Sequence, residues 1–172
     1  AGGELVELRP AQVEVVRLKS AQGDVFEVEQ EAACLSTLIQ NMVEDGGTEE
    51  EIPLPNVKTA TLNKVIDYCK HHRGAGPSEI QRPLGSAVLT ECGVSEWDAE
   101  YVDVGQEELF ALLQAANYLD IKGLMDLTCA KVASMVKGKT PETVRKQLNL
   151  PSDFTPEEEE QAREESRWCE DI

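Results

Sequence analysis

Residues 112–136 read LLQAANYLDIKGLMDLTCAKVASMV, and two helical patterns meet inside them at Asp120–Gly123. At 100° per residue, the first pattern, 106–119, gathers Leu109, Leu112, Leu113, Ala116 and Leu119 into one apolar stripe. Phe110, Asn117 and Tyr118 lie off that stripe. The second pattern, 122–136, sets Met125, Cys129, Val132 and Val136 in line at i, i+4, i+7 and i+11. Leu124, Leu127 and Met135 fall outside this line, separated from it by Thr128 and Lys131. A surface helix needs one apolar stripe, and this one has two. Either both are buried in one chain, as in a central helix, or one belongs to a second protein. Periodicity leaves both readings open.

The chain has 172 residues, long enough for one domain with a substantial core and an appended element. Acidic residues outnumber basic ones 33 to 16, for a formal charge of −17. Such a field repels phosphate backbones and anionic membrane surfaces, so neither nucleic acid nor membrane is expected as a partner. It favours attraction to a basic protein surface. No apolar run approaches the roughly 18 residues of a membrane span. The opening AGGELVELRPAQ has neither the basic head nor the apolar stretch of a signal peptide, and 1–12 reads as a tail. Five dispersed cysteines (Cys34, Cys69, Cys92, Cys129 and Cys169) point to reduced thiols, hence cytoplasm or nucleus. CKHH at 69–72 puts Cys69 and His72 on one helical face, but two ligands fall short of a usual metal set. Helix packing and solvated histidines explain it better, and no metal or cofactor is expected.

Around the quoted stretch the chain alternates strands and helices. VEVVRLKS-AQGD-VFEV (13–28) reads as two strands joined by a glycine-containing turn, and IPLP (52–55) as a short edge strand. EAACLSTLIQNMV reads as one amphipathic helix on Leu35, Leu38, Ile39 and Met42. TLNKVIDYCKHHRG makes a second on Leu62, Val65, Ile66 and Cys69, ended by Gly74. From Gly74 to about Gly93 no period holds, and a long, flexible surface loop is expected. SEWDAEYVDV reads as a short helix or turn anchored by Trp97, and helices follow at 106–119, 122–136, 141–148 and from Pro156.

The last two helices begin alike. TPET (140–143) and TPEE (155–158) each place an N-capping Thr before a Pro at the first helical position. Glu158, three residues after Thr155, completes a capping box. Phe154 has Glu159 where a hydrophobic staple needs an apolar residue, so its ring is expected to be buried elsewhere. From Asp153 to Ile172 there are nine acidic residues against two arginines, with little apolar surface to dock them. A segment so charged should fray by itself. Its good cap and its Trp168, a residue type enriched at binding hot spots, suit a segment that orders on a partner. The plainer alternative is a solvated acidic tail.

The stretch AANYLDIKGLMDLTCAKVASMVKGKTPETVRKQLNLPSDFTPEEEEQAREESRWCEDI resembles the Skp family, adaptor subunits of SCF (cullin–F-box) ubiquitin ligases. GDVFEV, IPLPNV, KVIDYCKHH and WDAEYV extend the resemblance over about 13–172. It implies a BTB/POZ-type α/β fold: a small three-stranded sheet flanked by helices, with extra C-terminal helices forming a partner-binding face. The implied organisation is a tail at 1–12, a BTB/POZ-like domain at 13–136 with the loop at about 74–93, and an F-box-binding extension at 137–172. It implies no catalytic activity. Asn117 and Tyr118 fall where the family meets the cullin. Phe110, Met125, Cys129, Val132, Val136, Leu148, Phe154 and Trp168 are the implied F-box contacts, with Leu124, Leu127 and Met135 turned inward. In some protist members a proline at the position of Pro156 is hydroxylated and then glycosylated, which makes Pro156 a candidate for both. The cap signature also explains that proline fully. Two features depart from the family: the 74–93 loop, often acidic in relatives, is small and nearly neutral here, and 1–12 has no counterpart.

Two functions follow. One is a ubiquitin-ligase adaptor with separable F-box and cullin faces. The other is a self-associating BTB-like protein whose exposed face is covered by a second copy; homodimerisation is also compatible with the first. No nucleophile–base pair, metal cluster or phosphate-cradling loop supports an enzyme.

Overall fold

The computed structural model describes residues 13–151 and 154–167, with the side chain of residue 166 excepted. The chain divides into two compact units, Ala1–Met135 and Val136–Ile172. In the first, β1 (Val15–Lys19) pairs antiparallel with β2 (Val25–Glu29) through a turn in which Gly23 takes φ +94°. β3 (Glu51–Pro53) pairs with β1 in parallel, so β1 is the central strand of the three. Strand alternation sends Val16, Leu18, Val28 and Ile52 into the core and leaves Val15, Arg17 and Lys19 outside.

The expected single helix after β2 is broken. α1 (Gln30–Ala33) stops, and α2 (Thr37–Gly46) starts afresh with Ser36 as its cap. Ser36 is fully buried; its hydroxyl accepts from Ile39 N–H at 3.2 Å and donates to Leu119 C=O at 2.5 Å. A satisfied buried hydroxyl competes with continuous helix. The break turns Leu35 out to solvent.

α3 (Thr59–His71) buries Leu62, Val65, Ile66, Tyr68 and Cys69. The following segment differs from the structureless loop expected of it. It contains a turn of 3₁₀ helix, Leu89–Cys92, with both ends buried, and Gln81 N–H bonds Cys92 C=O at 2.9 Å. Small residues allow this: a Cβ added at Gly123 would stand 2.7 Å from both Pro77 Cβ and Tyr68 Oη. α4 (Glu96–Tyr101) carries Trp97, whose ring stacks between His71 at 3.6 Å and Tyr101 at 5.0 Å.

α5 (Gln106–Leu119) and α6 (Lys122–Val136) join through Asp120, in the left-handed region at φ 52°. In the second unit, α7 (Pro141–Gln147) and α8 (Pro156–Ser166) begin as their Thr-Pro signatures require. Thr140 accepts from Thr143 N–H, and Thr155 and Glu158 form the complete capping box. The Thr155 N–H and hydroxyl both donate to Glu158, which holds that carboxyl below its usual range.

Candidate functional site

The end of α5 presents one candidate surface. Leu109, Leu112, Ala115, Ala116 and Leu119 are buried, whereas Asn117 is exposed and Tyr118 and Phe110 are half-buried. Ala115 takes the core place expected of Leu113, which is half-buried. The helix end is clamped to α2: Asp120 C=O accepts from Thr37 N–H and Thr37 Oγ1, alongside the Ser36–Leu119 bond. Asn117 and Tyr118 therefore sit on a fixed platform.

α6 presents the other. Leu124, Leu127, Thr128 and Ala130 are buried. The other stripe carries Cys129, which is exposed, and Met125, Val132 and Val136, which are half-buried, Met125 and Val132 against the edge of the core. Met135 is half-buried and packs on the core. Thr128, expected to separate the stripes as a polar residue, is wholly inside. It buries without penalty because its hydroxyl donates to Leu124 C=O at 2.8 Å and Met125 C=O at 3.0 Å.

In the second unit, Leu148 is half-buried and caps the end of α7. Phe154 is 48% exposed, contrary to the burial expected of it; the Arg145 guanidinium covers its face at 5.4 Å instead. Pro156 is exposed at the first turn of α8. Trp168 and the tail 1–12 lie outside the described residues.

The histidines are not solvated as a pair. His72 is buried, with Nε2 at 2.7 Å from Asp98 Oδ1; Asp98 Oδ2 accepts from Ser78 and Ser95, each at 2.9 Å. This network ties the end of α3, the 74–93 segment and the start of α4. Among the described residues no group of three His, Cys, Asp or Glu side chains is placed to hold a metal, and no helix is long and apolar enough to cross a membrane. Burial pushes the Cys69 thiol up to about 12, the setting of an inert core thiol rather than a nucleophile.

The arrangement thus offers two candidate surfaces, and comparison with known proteins gives the family. A model of the Skp1 family tetramerisation domain matches residues 14–74, and one of the Skp1 family dimerisation domain matches 122–169. The S-phase kinase-associated protein 1 homolog of Tetrahymena thermophila is 50% identical over 157 residues, covering 91% of this chain and 94% of that protein. The chain belongs to the Skp1 family. The SCF ubiquitin ligase complex protein SKP1a of Dictyostelium discoideum is 49% identical over 161 residues, covering 91% of this chain and 96% of that one. The SKP1-like protein 1A of Arabidopsis thaliana is 48% identical over 152 residues, with 88% and 94% covered.

Sequence reasoning missed the His72–Asp98 network and the cover of Arg145 over Phe154. The signal for the first was present: a histidine at the end of an apolar helix and an Asp in the first turn after Ser95. Their 26-residue separation hid the pairing. The second had no local signal.

Proposed function

We propose that this chain is a non-catalytic adaptor of an SCF-type ubiquitin ligase, joining a cullin to F-box proteins so that bound substrates are ubiquitinated and degraded. The observation that carries this is the division of α6. Leu124 and Leu127 complete the core, and a second apolar set on the same helix keeps accessible surface: Cys129 is exposed and Val136 half-buried, while Met125 and Val132 touch the edge of the core and are only partly covered. Family membership supports the same role.

In this reading Met125, Cys129, Val132 and Val136, with Phe110, Leu148, Phe154 and Trp168, receive the apolar helical F-box. Asn117 and Tyr118 meet the cullin. The work is positional: burial of the F-box on one surface and grip of the cullin on another fix a substrate at a set distance from the catalytic end of the ligase. The same apolar face, when empty, pairs two copies of the chain, since a large exposed apolar patch favours association; the name of the family model over 122–169 supports this. The 13–136 domain would carry the cullin contacts and the first part of the F-box face, and the 137–172 extension would complete that face, in the cytoplasm and nucleus. Pro156, exposed at the start of α8, is accessible to a prolyl hydroxylase. Intact mass of protein from its own cells should reveal the added oxygen and sugars, and an unmodified mass would remove that part of the reading.

The direct test is reconstitution from the full chain, an F-box protein and a cullin N-terminal region. A single complex with one copy of each is expected, with no F-box–cullin complex forming when the chain is left out. Equal F-box–cullin association without it would refute the adaptor role.

A further inference from the structure

The α8 helix lacks an apolar stripe: of its described side chains, all but Glu159 are exposed. Four consecutive glutamates, 157–160, add repulsion along its first turns. Something other than burial must orient it. Two ion pairs run from α7 to α8, Glu142 to Arg163 at 2.5 Å and Arg145 to Glu159 at 3.7 Å. Glu142 and Arg145 are one turn apart on α7, and Glu159 and Arg163 are one turn apart on α8 in the reverse order. Each helix thus offers one acid and one base to an antiparallel neighbour, and a shift by one turn would set like charges together. Arg145 serves twice, since its guanidinium also covers Phe154. The helices do not close on each other: a groove of about 640 Å³ lies between them, lined by Thr140, Arg145, Phe154, Ala162 and Arg167 among others.

We propose that Glu142, Arg145, Glu159 and Arg163 are positioning residues, a charge zipper that holds α8 alongside α7 in register and keeps the groove between them open. An incoming apolar segment then meets an ordered groove rather than a chain it must first order, so the zipper speeds association. The identity of that segment as an F-box rests on the adaptor reading; the zipper itself does not.

The test uses the full chain and charge reversal. Glu142→Arg and Arg163→Glu each set like charges across one rung, and the double variant restores the pair with its polarity inverted. Hydrogen exchange is read on the α8 amides of the free chain at low salt. Each single variant should exchange about threefold faster, as for the loss of an exposed pair, and the double should return towards wild type. Raised salt should narrow the differences. Loss of helix-dipole stabilisation at Glu142 alone cannot give that restoration, because the double variant keeps Arg at 142. Single variants that exchange like wild type, or a double variant no better than either single, would overturn the zipper. The second readout is the association rate with an F-box protein, which should fall in the singles and recover in the double. Unchanged rates alongside faster exchange would overturn the positioning role while leaving the adaptor reading intact. Failure of the wild-type chain to bind any F-box protein would instead overturn that reading, with the exchange result standing by itself.

Discussion

His72 Nε2 lies 2.7 Å from Asp98 Oδ1, with both side chains buried. Two serine hydroxyls donate to the other oxygen, so both buried oxygens of Asp98 are satisfied. His72→Ala leaves that buried carboxyl oxygen without its partner and should cost about 1–3 kcal/mol. The neighbouring His71→Ala removes only an exposed ring stacked on Trp97 and should cost about 1 kcal/mol. Denaturant unfolding of the two variants checks the contrast; similar losses would show that the network is not what stabilises this corner.

Gly123 is needed for want of a Cβ. An added methyl would stand 2.7 Å from Pro77 Cβ, on an exposed residue, and from the hydroxyl of Tyr68, a buried residue held by the core. Gly123→Ala should destabilise the chain by about 1–3 kcal/mol, the usual range for overpacking, despite alanine's better helix propensity. A stabilised variant would mean that the 74–93 segment yields freely.

Cys69 gives an alkaline signature. Burial raises its thiol to about 12, whereas an unfolded thiol titrates at about 8.5. Below the unfolded value both states are protonated and nothing changes with pH. Above it the unfolded state sheds its proton and the folded state does not, so stability falls by about 1.4 kcal/mol per unit as pH rises towards 12. Burial also raises Tyr68 and Tyr101, which add to the loss above about pH 10. Between about pH 9 and 10, Cys69→Ala should flatten the slope; an unchanged slope would assign it to other groups. Thiol-labelling of the native chain should mark the exposed Cys129 and spare Cys69.

The helices from 106 onward were legible because caps and periodicity agree: Thr140 and Thr155 mark starts, and the Leu109–Leu119 stripe marks a core face. The division of α6 was half legible. Periodicity found two stripes but could not say which turned inward, because that depends on what packs against the helix. The broken helix at Ser36 was hidden, since the hydroxyl's acceptor is Leu119, 83 residues away. The same distance rule hid the His72–Asp98 pair. The ordering of 74–93 escaped because it rests on close approach by Pro77 and on two buried residues, Leu89 and Cys92, rather than on any repeating pattern.

Self-association should depend on the α6 face. Size-exclusion chromatography with light scattering is expected to give a dimer of the free chain that converts to a one-to-one heterodimer when an F-box protein is added. A dimer unmoved by that partner would place the self-contact elsewhere and favour a self-associating protein.

Separate loss of the two partners is the most direct test of two independent surfaces. Tyr118→Lys and Met125→Asp are measured by calorimetry against a cullin N-terminal region and against an F-box protein. Tyr118→Lys should weaken cullin binding at least tenfold and leave F-box binding within about twofold, and Met125→Asp should do the reverse, as expected when a charge enters one buried contact and spares the other. Equal loss of both partners in either folded variant would contradict the separation of the surfaces.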